Sequence, residues 1–192
     1  MPDQFIKPIL VIIAISISGW ILFWTILRIS KKKEGIKIPF RFQITSFLFY
    51  IYAIAVLSLT IIPLPFARFE KPNEDGINII PIVHIVRDLL ELLTPQKTII
   101  KEHTIQNIIG NIILFIPLGI FLPLLIDKYR CINKVILAAF ICSVSIELIQ
   151  LILRQFEIYR SVDIDDVILN TLGALLGFMI VNKFYFNKKE NY

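Results

Sequence analysis

Charged and reactive side chains are scarce in this chain. Of its 192 residues only 18% are charged, two are cysteine and two are histidine. Cys131 stands in a short polar segment and Cys142 in the apolar run that follows. A helix between them would hold them roughly 16 Å apart, too far for a disulfide. Neither has CxxC spacing, and so few histidines disfavour a Cys/His metal site. No serine or cysteine carries the surroundings of an activated nucleophile, which disfavours covalent catalysis. Internal repeats and low-complexity tracts are also missing, and without an inverted pair of spans a secondary transporter is disfavoured.

Apolar residues, by contrast, are abundant. They make up 56% of the chain, and the mean hydropathy is +0.75. That leaves too little polar surface for a soluble globule. Several apolar runs reach about 20 residues, the length that crosses a bilayer as helix. The fold class expected is therefore all-α, a polytopic membrane bundle of about five spans. They cover about 8–27, 44–62, 107–126, 135–153 and 165–182. The first resembles a signal peptide only superficially. Its apolar part is too long, and it runs into RISKKK rather than a small-residue cleavage site.

Lysine and arginine set the expected orientation. Arg28, Lys31, Lys32, Lys33, Lys37 and Arg41 follow the first span; Lys128, Arg130 and Lys134 separate the third and fourth; Lys183, Lys188 and Lys189 end the chain. Positive-inside then places these segments in the cytoplasm, with the N-terminus outside and the C-terminus inside. The net charge of +5 arises from these span-flanking residues, so it reports topology and implies no nucleic-acid partner. Residues 63–106 become a long outer loop. Within it, 82–93 alternates with helical period, His84, Arg87, Asp88 and Glu91 lying opposite the apolar face. Too short to span, this stretch is expected to form an amphipathic helix at the outer interface, opened by Pro81 and closed by Thr94-Pro95.

The few polar residues inside the spans fall on helical stripes. Asn107 and Asn111 are one turn apart in the third span. Ala139, Ser143, Glu147, Gln150 and Arg154 form one face of the fourth, with Glu147 roughly 9 Å below its outer end. Asp163, Asp166, Asn170, Gly173 and Gly177 share a face of the fifth, its acids at the N-terminus where the helix dipole favours negative charge. Alternating span direction puts Asn107, Asn111, Glu147, Gln150, Asp166 and Asn170 at one depth near the outer surface. Arg154 and Arg160 stand at the rim, within reach of pairing with the carboxylates.

Two readings of this cluster are open. Membrane helices are commonly held together by Asn, Gln and small residues, and Gly173-x-x-x-Gly177 is a close-packing pattern. An ionisable group inside a span, Glu147 above all, is in turn a functional-site candidate. Asp163, Asp165 and Asp166 lack the glycine and distal glutamate of a calcium loop, which excludes an EF-hand. A looser divalent-cation site stays open, but no metal or cofactor is assigned. Pro117 and Pro123 predict a bend in the third span.

Five segments together resemble the VanZ-like family of bacterial membrane proteins. They are FLFYIYAIAVLSLTIIPLP (47–65), NIIPI (78–82), NIIGNIILFIPLGIFLP (107–123), SIELIQ (145–150) and RSVDIDDVILNTLGALLGF (160–178). The residues that match its motifs are Asn78, Asn107, Gly110, Asn111, Pro117, Glu147, Gln150, Asp163, Asp166, Asn170 and Gly173. Ile82 departs from the pattern, standing where an aromatic is expected. The resemblance implies a small envelope protein with a four-helix membrane domain at 44–182. Residues 1–43 then supply an additional span and basic cytoplasmic loop, and 183–192 a cytoplasmic tail. Founding members are associated with low-level resistance to the glycopeptide teicoplanin. The partners it implies are membrane lipids, with a lipid-linked envelope component or a glycopeptide antibiotic as the outward ligand. The competing reading is a membrane enzyme on a lipid-linked substrate. In it, Glu147 and Asp166 serve as general acid and base, and Arg154 or Arg160 holds a phosphate.

Overall fold

The structure is a computed structural model and describes residues 16–26, 28–29, 38–61, 77–83, 85–86, 90, 98–156 and 161–186. Five apolar helices dominate: α1 (Ser16–Ile26), α2 (Phe40–Thr60), α3 (Thr98–Leu125), α4 (Ile132–Leu153) and α5 (Ile164–Val181). The last four are long and apolar enough to cross a membrane. Only the second half of the expected first span, 8–27, lies among the described residues, as α1.

The ends of these helices follow from local chemistry. Pro39 precedes α2 in extended conformation, as its fixed φ and missing N–H favour at a helix start. Asp163 caps α5, its side chain accepting from the Asp165 amide at 2.8 Å. A 3-10 turn, Asp127–Tyr129, joins α3 to α4. The Arg130–Asp127 ion pair on it is solvent-exposed and contributes little.

α3 begins at Thr98 rather than 107, because helix continues outward from the apolar segment into a polar stretch that hydropathy does not mark. It also runs unbroken through Pro117 and Pro123. Pro117 cannot donate to the Ile113 carbonyl. At the neighbouring Leu114 carbonyl, the Tyr52 hydroxyl donates at 2.9 Å and holds α2 against this weakened turn.

α5 is the central helix: half of its apolar window is buried, against 11% for α2. Its closest partner is α3, and glycines explain the approach. A Cβ on Gly173 would lie 2.1 Å from the Ile112 carbonyl oxygen, and one on Gly177 2.0 Å from that of Ile116. Reciprocally, a Cβ on Gly119 of α3 would meet the Ala174 carbonyl oxygen at 2.0 Å. Backbones this close gain dispersion along their whole contact, the main source of helix association where lipid removes any hydrophobic drive. Around this seam Phe115, Leu118, Val135, Ala139, Ile146, Ala174 and Phe178 form the buried core.

α1 packs on α2 through rings. Trp20 stacks on Trp24 and contacts Phe47 and Tyr50, and the Tyr50 hydroxyl donates to the Ser16 carbonyl.

Two short strands complete the described fold. β1 (Ile77–Asn78) pairs in parallel with β2 (Val162–Asp163), in register Ile77 to Val162 and Asn78 to Asp163. Elements of two residues have no periodicity to read, so sequence pattern does not mark them. The pairing lays the long loop across the start of α5. Of the amphipathic helix expected at 82–93, residues 83, 85, 86 and 90 are helical, and the Val86 amide donates to the Ile82 carbonyl at 2.9 Å. His84, Arg87, Asp88 and Glu91 lie outside the described residues.

Candidate functional site

The polar residues gather at the end of the bundle where α5 begins and α2 and α4 finish. Their hydrogen bonds divide them into joints between particular elements. Glu147 is 8% exposed, and its Oε2 accepts from the Asp163 backbone amide at 2.9 Å, tying α4 to the α5 cap. One turn further into the bundle, Asn170 Nδ2 donates to Ser143 Oγ at 2.8 Å, a second joint between the same helices. Asn111 Nδ2 donates to Asp166 Oδ1 at 2.5 Å and joins α3 to α5, with Asn107 Oδ1 at 3.4 Å from the same nitrogen. Gln150 Nε2 donates to the Thr60 carbonyl at 2.9 Å, joining α4 to the last turn of α2.

A further set of bonds fastens the loop. Asn78 Nδ2 donates to Asp163 Oδ1 at 2.7 Å, while its own Oδ1 accepts from the Ile80 amide at 3.1 Å as an Asx turn. Asp165 is 2% exposed. Its Oδ2 accepts from the Ile85 amide at 3.0 Å, and its Oδ1 accepts from the Ile82 amide. A carboxylate from α5 thus caps a helical turn that lies 80 residues earlier in the chain. Between the two anchors, Ile82 has φ of 73°, a left-handed conformation that costs a β-branched residue about 1–3 kcal/mol. The paired Asp165 carboxylate holds it there.

Each sequence-selected residue can now be placed. Asn111, Glu147, Gln150, Asp163, Asp166 and Asn170 each join two elements, and Asn107 stands beside Asn111. Arg154 is half-buried at the C-cap of α4, and Arg160 lies outside the described residues. Sequence reasoning weighed Asp165 only as an acid of a loose cation site and left it out of the polar cluster. It falls off the stripe of Asp163, Asp166 and Asn170, and it faces the loop instead of a neighbouring helix. Its one signal was a third acid at the start of an apolar helix, beyond what capping that helix requires. Two polar atoms are left over: Gln150 Oε1 and Asn170 Oδ1 are buried without a hydrogen-bond partner among the described residues. Among those residues no group of three or more His, Cys, Asp or Glu side chains is arranged to hold a metal ion.

These joints fall on the motif positions of the resembling family, and the VanZ/LLP1 family model matches residues 49–185, most of the chain. The chain belongs to the VanZ/LLP1 family. No curated protein and no solved structure matches it. The VanZ/LLP1 match takes in α3, α4, α5 and β1–β2 entirely and most of α2, whereas α1 precedes it. It also covers the loop anchors Asn78 and Asp165, so the strapped end lies inside the VanZ/LLP1 region.

Proposed function

We propose that this VanZ-like protein is an integral membrane protein of the bacterial envelope. It contributes to low-level glycopeptide resistance, teicoplanin being the test compound, by presenting the loop-strapped end of the bundle on the outer face without catalysis. The observation that carries the non-catalytic part is the engagement of the carboxylates. Glu147, Asp165 and Asp166 accept from backbone amides or an asparagine side chain that position the helices and the loop. A general acid or base needs its reactive oxygen facing a substrate; Glu147 Oε2, Asp166 Oδ1 and both Asp165 oxygens face the protein's own donors. The basic segments support the orientation. Lys134 opens α4 and Lys183 follows α5, whereas Glu147 and Asp163 stand toward the opposite ends of those helices, an asymmetry that supports an outer position for the strapped end.

Overexpression or deletion of the gene is expected to shift teicoplanin sensitivity, and no shift in either direction counts against the resistance role. The Glu147→Gln variant retains an oxygen for the Asp163 amide and is expected to keep both folded amount and resistance near wild type. Glu147→Leu leaves that amide unsatisfied, at a cost of about 1–3 kcal/mol, and is expected to lower both together. A fully folded Glu147→Gln protein with no resistance would transfer the assignment to acid/base chemistry at Glu147 and Asp166. For topology, reporter fusions at Lys33 and Glu74 are expected to signal from opposite sides, Lys33 from the cytoplasm. The same side at both positions would reverse the assignment of the strapped end.

A further inference from the structure

Beside the polar joints, the bundle also carries an apolar opening. α2 and α4 both pack on α3, but between them a gap of about 330 Å³ opens along the apolar surface. Phe115 and Leu118 of α3 form its floor. Its walls are Phe49, Ala53, Val56 and Leu57 of α2 and Cys142, Ser145, Ile146 and Ile149 of α4. Small residues keep it open, since Ala53, Cys142 and Ser145 stand where larger side chains would bridge the helices. The groove extends from Phe49 to Ile61, roughly 18 Å along the helix axis, and its volume lies in the range of ligand sites.

Its two ends differ. At the Ile61 end α2 and α4 are joined by the bond from Gln150 Nε2 to the Thr60 carbonyl. Gln150 follows Ile149 and stands one turn beyond Ile146, both groove residues. The oxygen of this amide, Gln150 Oε1, is left without a partner, on a residue 8% exposed. An unsatisfied buried acceptor costs about 1–3 kcal/mol, so a donor arriving from the groove would be favoured there.

We infer that the groove binds one acyl chain of a membrane phospholipid whose headgroup hydroxyl donates to Gln150 Oε1. The chain assignment follows from the lining, which is apolar and opens within the membrane-spanning length of α2 and α4. The hydroxyl assignment follows from the acceptor, a neutral amide oxygen on the residue after Ile149 at the end of a lining that holds no carboxylate to favour an ammonium group. The inference rests on the membrane-spanning reading of these helices and is independent of the resistance role.

The test uses the purified full chain in nanodiscs with two probes. One is phosphatidylglycerol with a diazirine in its acyl chain; the other is phosphatidylcholine with the same chain and no headgroup donor. After irradiation, mass spectrometry maps the label. The phosphatidylglycerol probe is expected to label the groove residues of α2 and α4 above the exposed Leu137 and Leu172. It is also expected to exceed the phosphatidylcholine probe roughly fivefold in the groove, equivalent to about 1 kcal/mol for one hydrogen bond. Gln150→Leu is expected to remove that excess while phosphatidylcholine labelling persists. Ser145→Phe, at the exposed edge of the groove, and Ala53→Phe are each expected to cut groove labelling, with monodispersity and thermal unfolding confirming the fold. Ser145→Phe keeps the test decisive if Ala53→Phe does not fold. Groove labelling no higher than at Leu137 and Leu172, or unchanged in the filled variant, overturns the site. Equal labelling by the two probes in the wild type overturns the role of Gln150.

Discussion

Replacing Gly177 with leucine is expected to eliminate the folded bundle, and Gly177→Ala to destabilise it by about 1–3 kcal/mol. The cause is backbone, not side chain. A Cβ at this position would sit 2.0 Å from the Ile116 carbonyl oxygen and 3.2 Å from the Gly119 Cα. No rotamer change relieves a clash with main chain, so α3 and α5 must separate along their length. Separation also loosens the neighbouring contacts at Gly173 and Gly119, which share the seam. For a chain of this size the alanine variant should unfold roughly 2–12 °C lower in detergent or nanodiscs. Gly110 supplies the internal control. It is a motif glycine on α3, but a Cβ there would meet nothing within 4 Å. Gly110→Ala is therefore expected to leave stability unchanged or to raise it by up to about 1 kcal/mol through helix propensity. Equal losses at both glycines would show that the seam does not set the packing of α3 on α5.

The second large effect is expected at Asp165. Asp165→Ala removes the acceptor from the Ile82 and Ile85 amides together. At about 1–3 kcal/mol for each amide left without a partner, the strap is expected to weaken by about 2–6 kcal/mol. Part of this is returned when Ile82 leaves its left-handed conformation, which favours release of the loop over distortion of α5. Hydrogen exchange at Ile82 and Ile85 should accelerate, and protease should cut within 77–90, while amides in the middle of α5 stay protected. Asp165→Asn retains one acceptor oxygen and should fall between. Protection at Ile82 and Ile85 equal to wild type in Asp165→Ala would show that β1–β2 and Asn78 hold the loop alone.

The two predictions differ in how visible their residues were beforehand. Gly173 and Gly177 were legible because GxxxG repeats within one helix turn, and small residues at that spacing leave a groove whatever fills it. That Ile112 and Ile116 fill it was not legible, since α3 carries no complementary pattern. Asp163 was legible as an acid at the start of the last span, because the dipole it complements belongs to the helix beside it. The role of Asp165 was not, because its partners are main-chain amides of a distant loop, and amides are the same in every sequence. Gln150 was visible as one member of a polar stripe. Its partner, the Thr60 carbonyl at the end of another helix, again has no side-chain signature.

The sequence by itself determined the apolar character of the chain, the helices long and apolar enough to cross a membrane and the small set of polar residues set within them. These are properties of consecutive residues: apolar length, helical phase, the chemistry of a cap. It also determined the family, since the motifs lie in order along the chain. Only the tertiary structure decided that Glu147, Gln150 and Asp165 bond to backbone, that the long loop is strapped to α5, and that a groove stays open between α2 and α4. Those outcomes depend on which helices become neighbours, and in lipid that choice is made by main-chain approach and hydrogen bonding across the fold, terms that hydropathy does not encode.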